Sequence, residues 1–102
     1  MEFSVKEGRE TRVELSGKLD FSRAPALMKE LEKLKGKDVS SVVFECNGLT
    51  YISSAGIRAI IFARQKISPD MTVVLENAAE DVVEVLDMCG LSDFIEFRES
   101  KG

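Results

Sequence analysis

The sequence contains no histidine among its 102 residues. Histidine is the commonest general base near neutral pH and the commonest metal ligand, so its absence removes the simplest route to either chemistry. Tryptophan is also absent, and only two cysteines are present. Two separated cysteines cannot complete a structural zinc site by themselves. The composition therefore disfavours a metal centre and histidine-assisted catalysis, and no cofactor is expected.

The two cysteines, Cys46 and Cys89, both lie in apolar stretches. A disulfide framework requires more cysteines and a secretory signal, and residues 1–4 do not have the character of a signal peptide. We therefore expect two buried free thiols in a protein of the reducing cytoplasm.

Long apolar runs are missing as well, since none approaches the ~20 residues of a membrane-spanning helix. The formal net charge of −4 argues against nucleic acid or an anionic membrane as the main partner, because both require a basic surface. Hydrophobic residues make up 44% and charged residues 31% of the chain. This balance is typical of a globular domain, and we expect one domain over residues 1–102.

Segments of β character recur along the chain, some with strict alternation of apolar and polar residues. Residues 9–11 are expected to turn between the first two strands. The turn signal Asn47-Gly48 is expected to end the third strand. The predicted strands cover residues 3–6, 12–16, 41–46, 71–75 and 94–97.

Three segments between the strands carry apolar residues at helical spacing. The first helix is expected to start with Ser22 as N-cap and Pro25 in its first turn. The second should begin near Ser53 or Ser54 and run to about Ile67, and the third covers residues 82–89. The expected stop signals are Gly36, Pro69 and Gly90.

The predicted order is therefore β-β-α-β-α-β-α-β, which indicates an α/β fold. Strands that alternate with helices form a mostly parallel sheet, here a mixed sheet of about five strands with the first strand antiparallel at an edge. Ligands of such sheets bind beyond the carboxyl ends of the strands. Two predicted loops lie there, residues 17–22 and 47–54, and we expect them to be neighbours in space.

Four small residues open the second predicted helix: Ser53, Ser54, Ala55 and Gly56. A helix N-terminus has unpaired N–H groups and a positive dipole end, so it accepts an anion such as a serine phosphate. We expect Ala55 and Gly56 to leave this position unshielded for a partner. Serine is also an ordinary N-cap, and the local sequence alone favours that structural interpretation.

The rest of the second helix, residues 57–63, is too apolar for one core-facing stripe. Burial on two sides explains this composition, and so does an exposed docking patch. Arg58 is able to pair with a phosphate, to pair with a partner's carboxylate, or to remain solvated, and the sequence leaves these alternatives open.

Residues 49–58 resemble the signature of STAS domains, which anti-sigma-factor antagonists share with the cytoplasmic tails of sulfate transporters. Residues 15–20 resemble the family's turn, with Gly17, Leu19 and Asp20 in matching places, and residues 85–91 resemble its late helix with a Gly-Leu ending. The resemblance covers nearly the whole chain, and the order of elements agrees. The chain is thereby identified, by resemblance, as a STAS domain of the anti-sigma-factor antagonist type.

The resemblance implies a phosphorylation switch in a bacterial cytoplasm. The family's phosphorylated serine aligns with Ser54, and Asp20 aligns with an aspartate that contacts the partner. That partner is an anti-sigma factor that is also a serine kinase of the histidine-kinase-like ATPase fold, and it supplies the ATP and magnesium. The unphosphorylated antagonist, commonly a monomer, binds the kinase; the phosphorylated form releases it, and a serine phosphatase resets the cycle. The expected partner-binding residues are Asp20, Ser53, Ser54, Ala55, Gly56, Ile57 and Arg58.

The chain departs from the family at one place, because well-known antagonists carry an aspartate where Ser53 stands. This makes Ser53 a competing phosphorylation site. A hydrolase is not expected, since Ser54 lacks the G-x-S-x-G elbow and no histidine is present. The alternative within the family is an accessory subunit that docks constitutively on an ABC-type lipid-transport ATPase or in a stressosome-like complex.

Overall fold

The computed structural model of the chain describes residues 2–6, 8–37, 39–67 and 71–99, with side chains described from Gly8 onward. The strands are β1 (Glu2–Lys6), β2 (Glu10–Leu19), β3 (Ser41–Ile52), β4 (Thr72–Glu76) and β5 (Ile95–Arg98). The helices are α1 (Ala24–Glu32), α2 (Ser54–Lys66) and α3 (Glu80–Met88).

The strands form one mixed sheet in the order β1-β2-β3-β4-β5. Strands β2 to β5 run parallel, and β1 pairs antiparallel with β2 at the edge. Each parallel connection passes through a helix, as parallel neighbours require. The predicted α/β fold, its β-β-α-β-α-β-α-β order and its mostly parallel sheet are confirmed.

The hydrophobic core lies between the sheet and the helices. Strand register aligns Val13, Phe44 and Leu75 across β2, β3 and β4, and all three side chains are fully buried. Buried residues of all three helices belong to the same core cluster. The helices therefore cover one face of the sheet, which gives a two-layer architecture.

The opposite face of the sheet carries a network of charged side chains. An Nη2 proton of Arg12 on β2 is donated to Glu76 Oε1 on β4 across 2.8 Å, and the same nitrogen lies 3.6 Å from Glu45 Oε2 on β3. Hydrogen bonding with Glu45, and then with Arg12, lowers the pKa of Glu76, whose side chain is almost buried. The network links three neighbouring strands on this face.

Strand β3 is longer than the sequence predicts, because it continues through Asn47-Gly48 to Ile52. Its pairing with β2 persists after an irregularity in register: Glu14 faces Glu45, whereas Ser16 faces Gly48. A Cβ at Gly48 would lie 3.0 Å from the Ser16 Cβ, so the glycine permits the close approach. The prediction of a turn at Asn47-Gly48 is therefore wrong. The strand continues there, with an irregularity in its pairing with β2.

Strand β2 is also longer at both ends, so Glu10 and Thr11 belong to it and not to a turn. The predicted loop at residues 17–22 begins inside this strand, which ends at Leu19. Pairing of Leu19 with Ile52 keeps the two strand ends together.

Helix α1 has Arg23 as its N-cap, so the prediction of Ser22 is wrong. The Asp20 carboxylate supplies the acceptor instead, because its Oδ1 accepts hydrogen bonds from the backbone N–H groups of Ser22 and Arg23. Pro25 lies in the first turn, as predicted. The helix ends at Glu32, before Gly36, which has a φ of 82°.

The predicted span of the second helix is confirmed, because α2 has Ser53 as N-cap and Ile67 as C-cap. Helix α3 ends one residue earlier than expected, at Met88. Phe94 precedes β5 in an exposed turn and is not part of the strand. The stop signal at Pro69 and the chain end at residues 100–102 lie outside the described residues.

The two cysteines differ in environment. Cys46 is buried, and burial raises the pKa of its thiol to about 12. Cys89 is exposed after the end of α3, so the expectation of a second buried thiol is wrong. In the part of the chain that the structure describes, no helix has both the length and the apolarity needed to cross a membrane.

We expect Glu76→Gln to lower the free energy of unfolding by about 1 kcal/mol at pH 7, because the amide loses its charge-assisted bond with Arg12. A lowered pKa means that Glu76 stabilises the fold above its unfolded-state pKa of about 4.3, and that this contribution is lost as pH falls through the lower folded-state value. Urea denaturation from pH 7 down to about pH 2.5 should show the difference from wild type shrinking. Glu14→Gln, at an exposed position of β2, is the control; a loss independent of pH would contradict the assignment.

Candidate functional site

The candidate site lies where β2 and β3 end and α2 begins. The Ser53 N–H donates to the Leu19 carbonyl oxygen across 2.9 Å. The Thr50 hydroxyl donates to the carbonyl oxygen of Gly17 across 3.1 Å. The two segments expected to be neighbours are therefore joined by hydrogen bonds, at the carboxyl ends of parallel strands where α/β proteins bind their ligands.

Ser53 closes the start of α2. Its Oγ donates to the Leu19 carbonyl oxygen across 2.9 Å and accepts the Gly56 N–H across 3.2 Å. The residue is 3% exposed. Serine and aspartate are both favoured N-caps, so the chain keeps the cap where the resembling antagonists have an aspartate. The serine hydroxyl can also donate a proton to Leu19, which an ionised carboxylate cannot do.

Ser54 is the first residue of α2 and is exposed. Its hydroxyl makes no hydrogen bond to any residue that the structure describes. The two adjacent serines therefore have opposite environments. The Ser53 hydroxyl is buried and makes two hydrogen bonds, whereas the Ser54 hydroxyl faces solvent at a helix N-terminus. The sequence pattern could not separate them, because serine suits both positions.

Gly56 is buried and packs against the strand ends. A Cβ at this position would lie 2.8 Å from Leu19 Cγ and 2.9 Å from Ile52 Cγ1. The expectation that Gly56 leaves the site unshielded is therefore wrong, because this residue faces the core. Its small size allows the first turn of α2 to pack closely on both strands. Ala55 beside it is half-buried.

Asp20 follows Leu19 directly and is held at the entrance to α1. Its Oδ1 accepts the Ser22 hydroxyl proton across 2.8 Å, and its Oδ2 lies 3.2 Å from Arg23 Nη1. The hydrogen bond from Ser22 is the main cause of a lowered pKa of Asp20. A carboxylate is thus fixed in ionised form one residue beyond the Leu19 carbonyl that anchors Ser53.

The other two predicted site residues, Ile57 and Arg58, occupy the turn after Gly56. Ile57 is half-buried and packs against the core, whereas Arg58 is exposed. Arg58 has no ion pair within residues 8–37, 39–67 and 71–99.

Sequence reasoning missed two exposed aromatic residues in the segments that meet here. Phe21 follows Asp20 and is 68% exposed; Tyr51 is 49% exposed and pairs in register with Lys18 near the end of β2. Aromatic side chains are enriched in protein interfaces, where they act as anchors. The available signal was an aromatic residue in each of the two segments expected at the carboxyl edge.

The apolar composition of α2 is explained by burial along much of the helix. Ala59, Ile60 and Ala63 are buried in the core. Ile61 lines a cleft of about 240 Å³ together with Leu91 and Phe94. This cleft lies along the middle and end of α2, not at its start.

Metal chemistry has no candidate in the side chains that the structure describes, because they contain no group of three or more possible metal ligands. The arrangement instead offers an accessible hydroxyl at a helix start, with an ionised carboxylate and exposed aromatic side chains on the neighbouring segments. Such a surface is suited to docking and to covalent modification of the hydroxyl.

A family model described as STAS domain matches residues 4–102. Among solved structures, an anti-sigma factor antagonist from Mycobacterium paratuberculosis is similar with a TM-score of 0.82 and 15% identity, over 95% of this chain and 84% of that one. The anti-sigma factor antagonist SpoIIAA in its unphosphorylated form has a TM-score of 0.78 at 12% identity, over 99% of this chain and 90% of that one.

The Bacillus cell fate determinant SpoIIAA in its phosphorylated form also has a TM-score of 0.78, at 15% identity, over 98% of this chain and 92% of that one. At these identities the similarity shows a shared fold. No curated protein sequence has a significant match to the chain.

We expect Ser53→Ala to lower the free energy of unfolding by about 1–2 kcal/mol, because it removes the N-cap of α2 and the bond to Leu19. Ser54→Ala is the matched control, with an expected change within about 0.5 kcal/mol. Urea denaturation of both variants measures the difference. Equal effects of the two substitutions would contradict the structural role of Ser53.

We expect Gly56→Ala to destabilise the protein by about 1–3 kcal/mol, although alanine is the better helix former. The reason is the clash of the added methyl with Leu19 and Ile52. Arg58→Ala, at an exposed position of the same helix, is the control and should change stability little. A stabilised Gly56→Ala variant in thermal denaturation would show that the first turn of α2 is less tightly packed.

Proposed function

The chain belongs to the STAS domain family, and from this we propose that it is an anti-sigma factor antagonist switched by phosphorylation of Ser54. The unphosphorylated protein binds an anti-sigma factor with serine kinase activity, of the histidine-kinase-like ATPase fold, and so frees the sigma factor for transcription. Phosphorylation releases the kinase, and a serine phosphatase restores the binding form. The chain acts in the cytoplasm as a monomeric binding module without a cofactor and without catalysis of its own.

The observation that carries the proposal is the contrast between the two neighbouring serines. Phosphorylation of Ser53 requires breaking both hydrogen bonds of its hydroxyl and exposing a side chain that is now 3% exposed. The Ser54 hydroxyl needs no such rearrangement. This contrast supports Ser54 as the acceptor and Ser53 as the residue that presents it.

The position of Ser54 suits a modification that changes binding and leaves the fold intact. A phosphate adds about −1.5 to −2 charges, and a helix N-terminus tolerates an anion well. The charge therefore acts on the docking surface, where the ionised Asp20 already stands on a neighbouring segment. Misplaced charge at an interface costs several kcal/mol, and ~3 kcal/mol weakens binding about 100-fold.

The half-buried Asp20 and the exposed residues around this position form a surface that we call the Ser54 surface. It comprises Asp20, Phe21, Tyr51, Ser54 and Arg58. Its two aromatic side chains supply apolar anchors, and its charged side chains supply orientation. In the proposal the kinase buries the aromatic pair and places its active site over the Ser54 hydroxyl.

A constitutive accessory subunit of a transport ATPase remains the alternative, and no contact in the described part of the chain specifically favours it. The two functions differ in their response to charge at Ser54. A constitutive subunit uses Ser54 only for contact. In that case Ser54→Asp is expected to change the affinity for the ATPase only modestly, and Ser54 is expected to carry no regulated phosphate.

We expect Ser54→Ala to retain binding to the host's anti-sigma factor kinase and Ser54→Asp to lose about 100-fold in affinity, measured by isothermal titration calorimetry. Gln65→Glu is the charge control, because it also adds one negative charge to an exposed position of α2, but in the last turn of the helix, away from Ser54. It should bind like wild type. Equal affinities of the Ser54→Ala and Ser54→Asp variants would rule out the switch.

Incubation of the protein with that kinase and MgATP, followed by phosphopeptide mass spectrometry, tests the position of the phosphate. The expected result is one phosphate on Ser54 that disappears in Ser54→Ala. Phosphate on Ser53 in the folded protein would move the switch by one residue and overturn the assignment based on burial.

A further inference from the structure

Arg58 and Arg64 of α2 both lack an ion pair in the described residues, but Arg64 is half-buried and lies farther along the helix from Ser54, whereas Arg58 is exposed. In the described parts of the chain, Arg12, Arg23 and Arg98 each lie within 4.0 Å of a carboxylate oxygen. Arg58 has no such partner, and it is exposed. A guanidinium with no internal role is available for an anion that the unmodified protein does not contain.

The position of Arg58 directs it toward Ser54. The two residues are four positions apart in α2, so they lie on the same face of the helix, with Cβ atoms about 5–6 Å apart. Side chains in a helix lean toward its N-terminus, so Arg58 leans back over the turn that Ser54 begins. The first turn of α2 contains no acidic residue, so no carboxylate of that turn competes for the guanidinium.

We propose that Arg58 couples the phosphorylation state of Ser54 to partner binding by exchanging one anionic partner for another. With Ser54 unmodified, Arg58 pairs with a carboxylate on the surface of the bound protein. With Ser54 phosphorylated, the guanidinium pairs with the phosphate along the same helix and is withdrawn from the interface. This inference rests on the proposed function, since it takes Ser54 as the residue that carries the phosphate.

The exchange strengthens the switch beyond simple repulsion. An arginine side chain matches phosphate oxygens with two parallel N–H donors, which makes this pair stronger than an ordinary exposed ion pair. Phosphorylation therefore has two effects at one place: it adds an anion to the docking surface and removes a cation that the partner uses. The surface of the partner that contacts Arg58 is accordingly expected to be acidic.

Other cations near the site are less suited to this role. Arg23 is engaged by Asp20 across 3.2 Å at the entrance to α1. Lys18 is exposed, but it lies on β2 and does not share a helix face with Ser54. A lysine ammonium also lacks the planar pair of donors that a phosphate accepts from arginine.

The first experiment uses the full chain with phosphoserine incorporated at position 54 during translation, so that it does not depend on a kinase. Phosphorus-31 NMR titration gives the second pKa of the phosphate, which is near 6 for an unperturbed phosphoserine. We expect Arg58→Gln to raise that pKa by about 0.2–0.4 units, because the dianion loses its cation. Lys66→Gln, in the last turn of the same helix, should leave it unchanged.

Arg58→Lys should give an intermediate pKa, since it keeps the charge and loses the bidentate geometry. Superimposable titration curves for wild type and Arg58→Gln would overturn the intrahelical pair. Circular dichroism confirms that each variant is folded, which is expected for an exposed position.

The second experiment measures affinity for the anti-sigma factor kinase with and without the phosphoserine. We expect Arg58→Gln to weaken binding of the unphosphorylated protein about 5- to 10-fold, because it removes one ion pair from the interface, and to reduce the ratio of the two affinities by a similar factor. Lys18→Gln is the control and should keep the wild-type ratio. An unchanged ratio in Arg58→Gln overturns the exchange.

The two experiments separate this inference from the proposed function. If phosphoserine at position 54 does not weaken kinase binding in the wild-type chain, the proposed function fails, whatever the NMR titration shows. If phosphoserine weakens binding but Arg58→Gln alters neither the pKa nor the ratio, the proposed function stands and the role of Arg58 is rejected.

Discussion

The hydrogen bonds between Ser53 and the Leu19 carbonyl oxygen hold the end of β2 to the start of α2, and the rest of the site depends on them. Both the N–H and the hydroxyl of Ser53 donate to that oxygen across 2.9 Å. The same hydroxyl caps the Gly56 N–H, and Gly56 in turn packs against the Leu19 side chain. One residue after this anchor, on each segment, stand Ser54 and Asp20. The hydrogen bonds between Ser53 and Leu19 therefore determine where Ser54 and Asp20 lie at the carboxyl ends of the strands.

This arrangement keeps the residues that stabilise the helix start apart from those that a partner can reach. Ser53 and Gly56 are buried and determine the geometry of the helix start, whereas Ser54 and Arg58 face solvent on the same helix. A charged group added to Ser54 meets a helix N-terminus that accepts anions, so the core is not disturbed. The consequences of the added charge are confined to the surface that a partner would contact. The site is therefore suited to a switch that changes affinity and leaves the fold unchanged.

The long central strands are what bring this edge together. Strand β3 is the central strand of the sheet and runs from Ser41 to Ile52. Its irregular pairing with β2 at Gly48 lets both strands end side by side at Leu19 and Ile52. On the face without helices, Arg12 joins β2 to β4 through Glu76, with Glu45 between them. Charged side chains thus support the sheet on that face, while the apolar core supports it on the other. The carboxyl ends of β2 and β3 therefore belong to a sheet that is stabilised on both faces.

Patterns within short windows of the sequence determined the order of strands and helices, the α/β class and the start of α2 at Ser53 and Ser54. These features follow from period, capping and composition, which act between residues a few positions apart. Tertiary structure decided the features that depend on distant partners. Pairing with β2 carried β3 through Asn47-Gly48, a dipeptide that locally favours a turn. Contact with Leu19 made Ser53 the buried serine and left Ser54 exposed, although the two are chemically identical. Gly56 faces the core because the first turn of α2 packs against Leu19 and Ile52. Phe21 and Tyr51 have no comparable packing and are exposed. The reason is the same in each case: a residue's local preference is worth a few tenths of a kcal/mol to about one, and a strand pairing or a core contact far along the chain outweighs it.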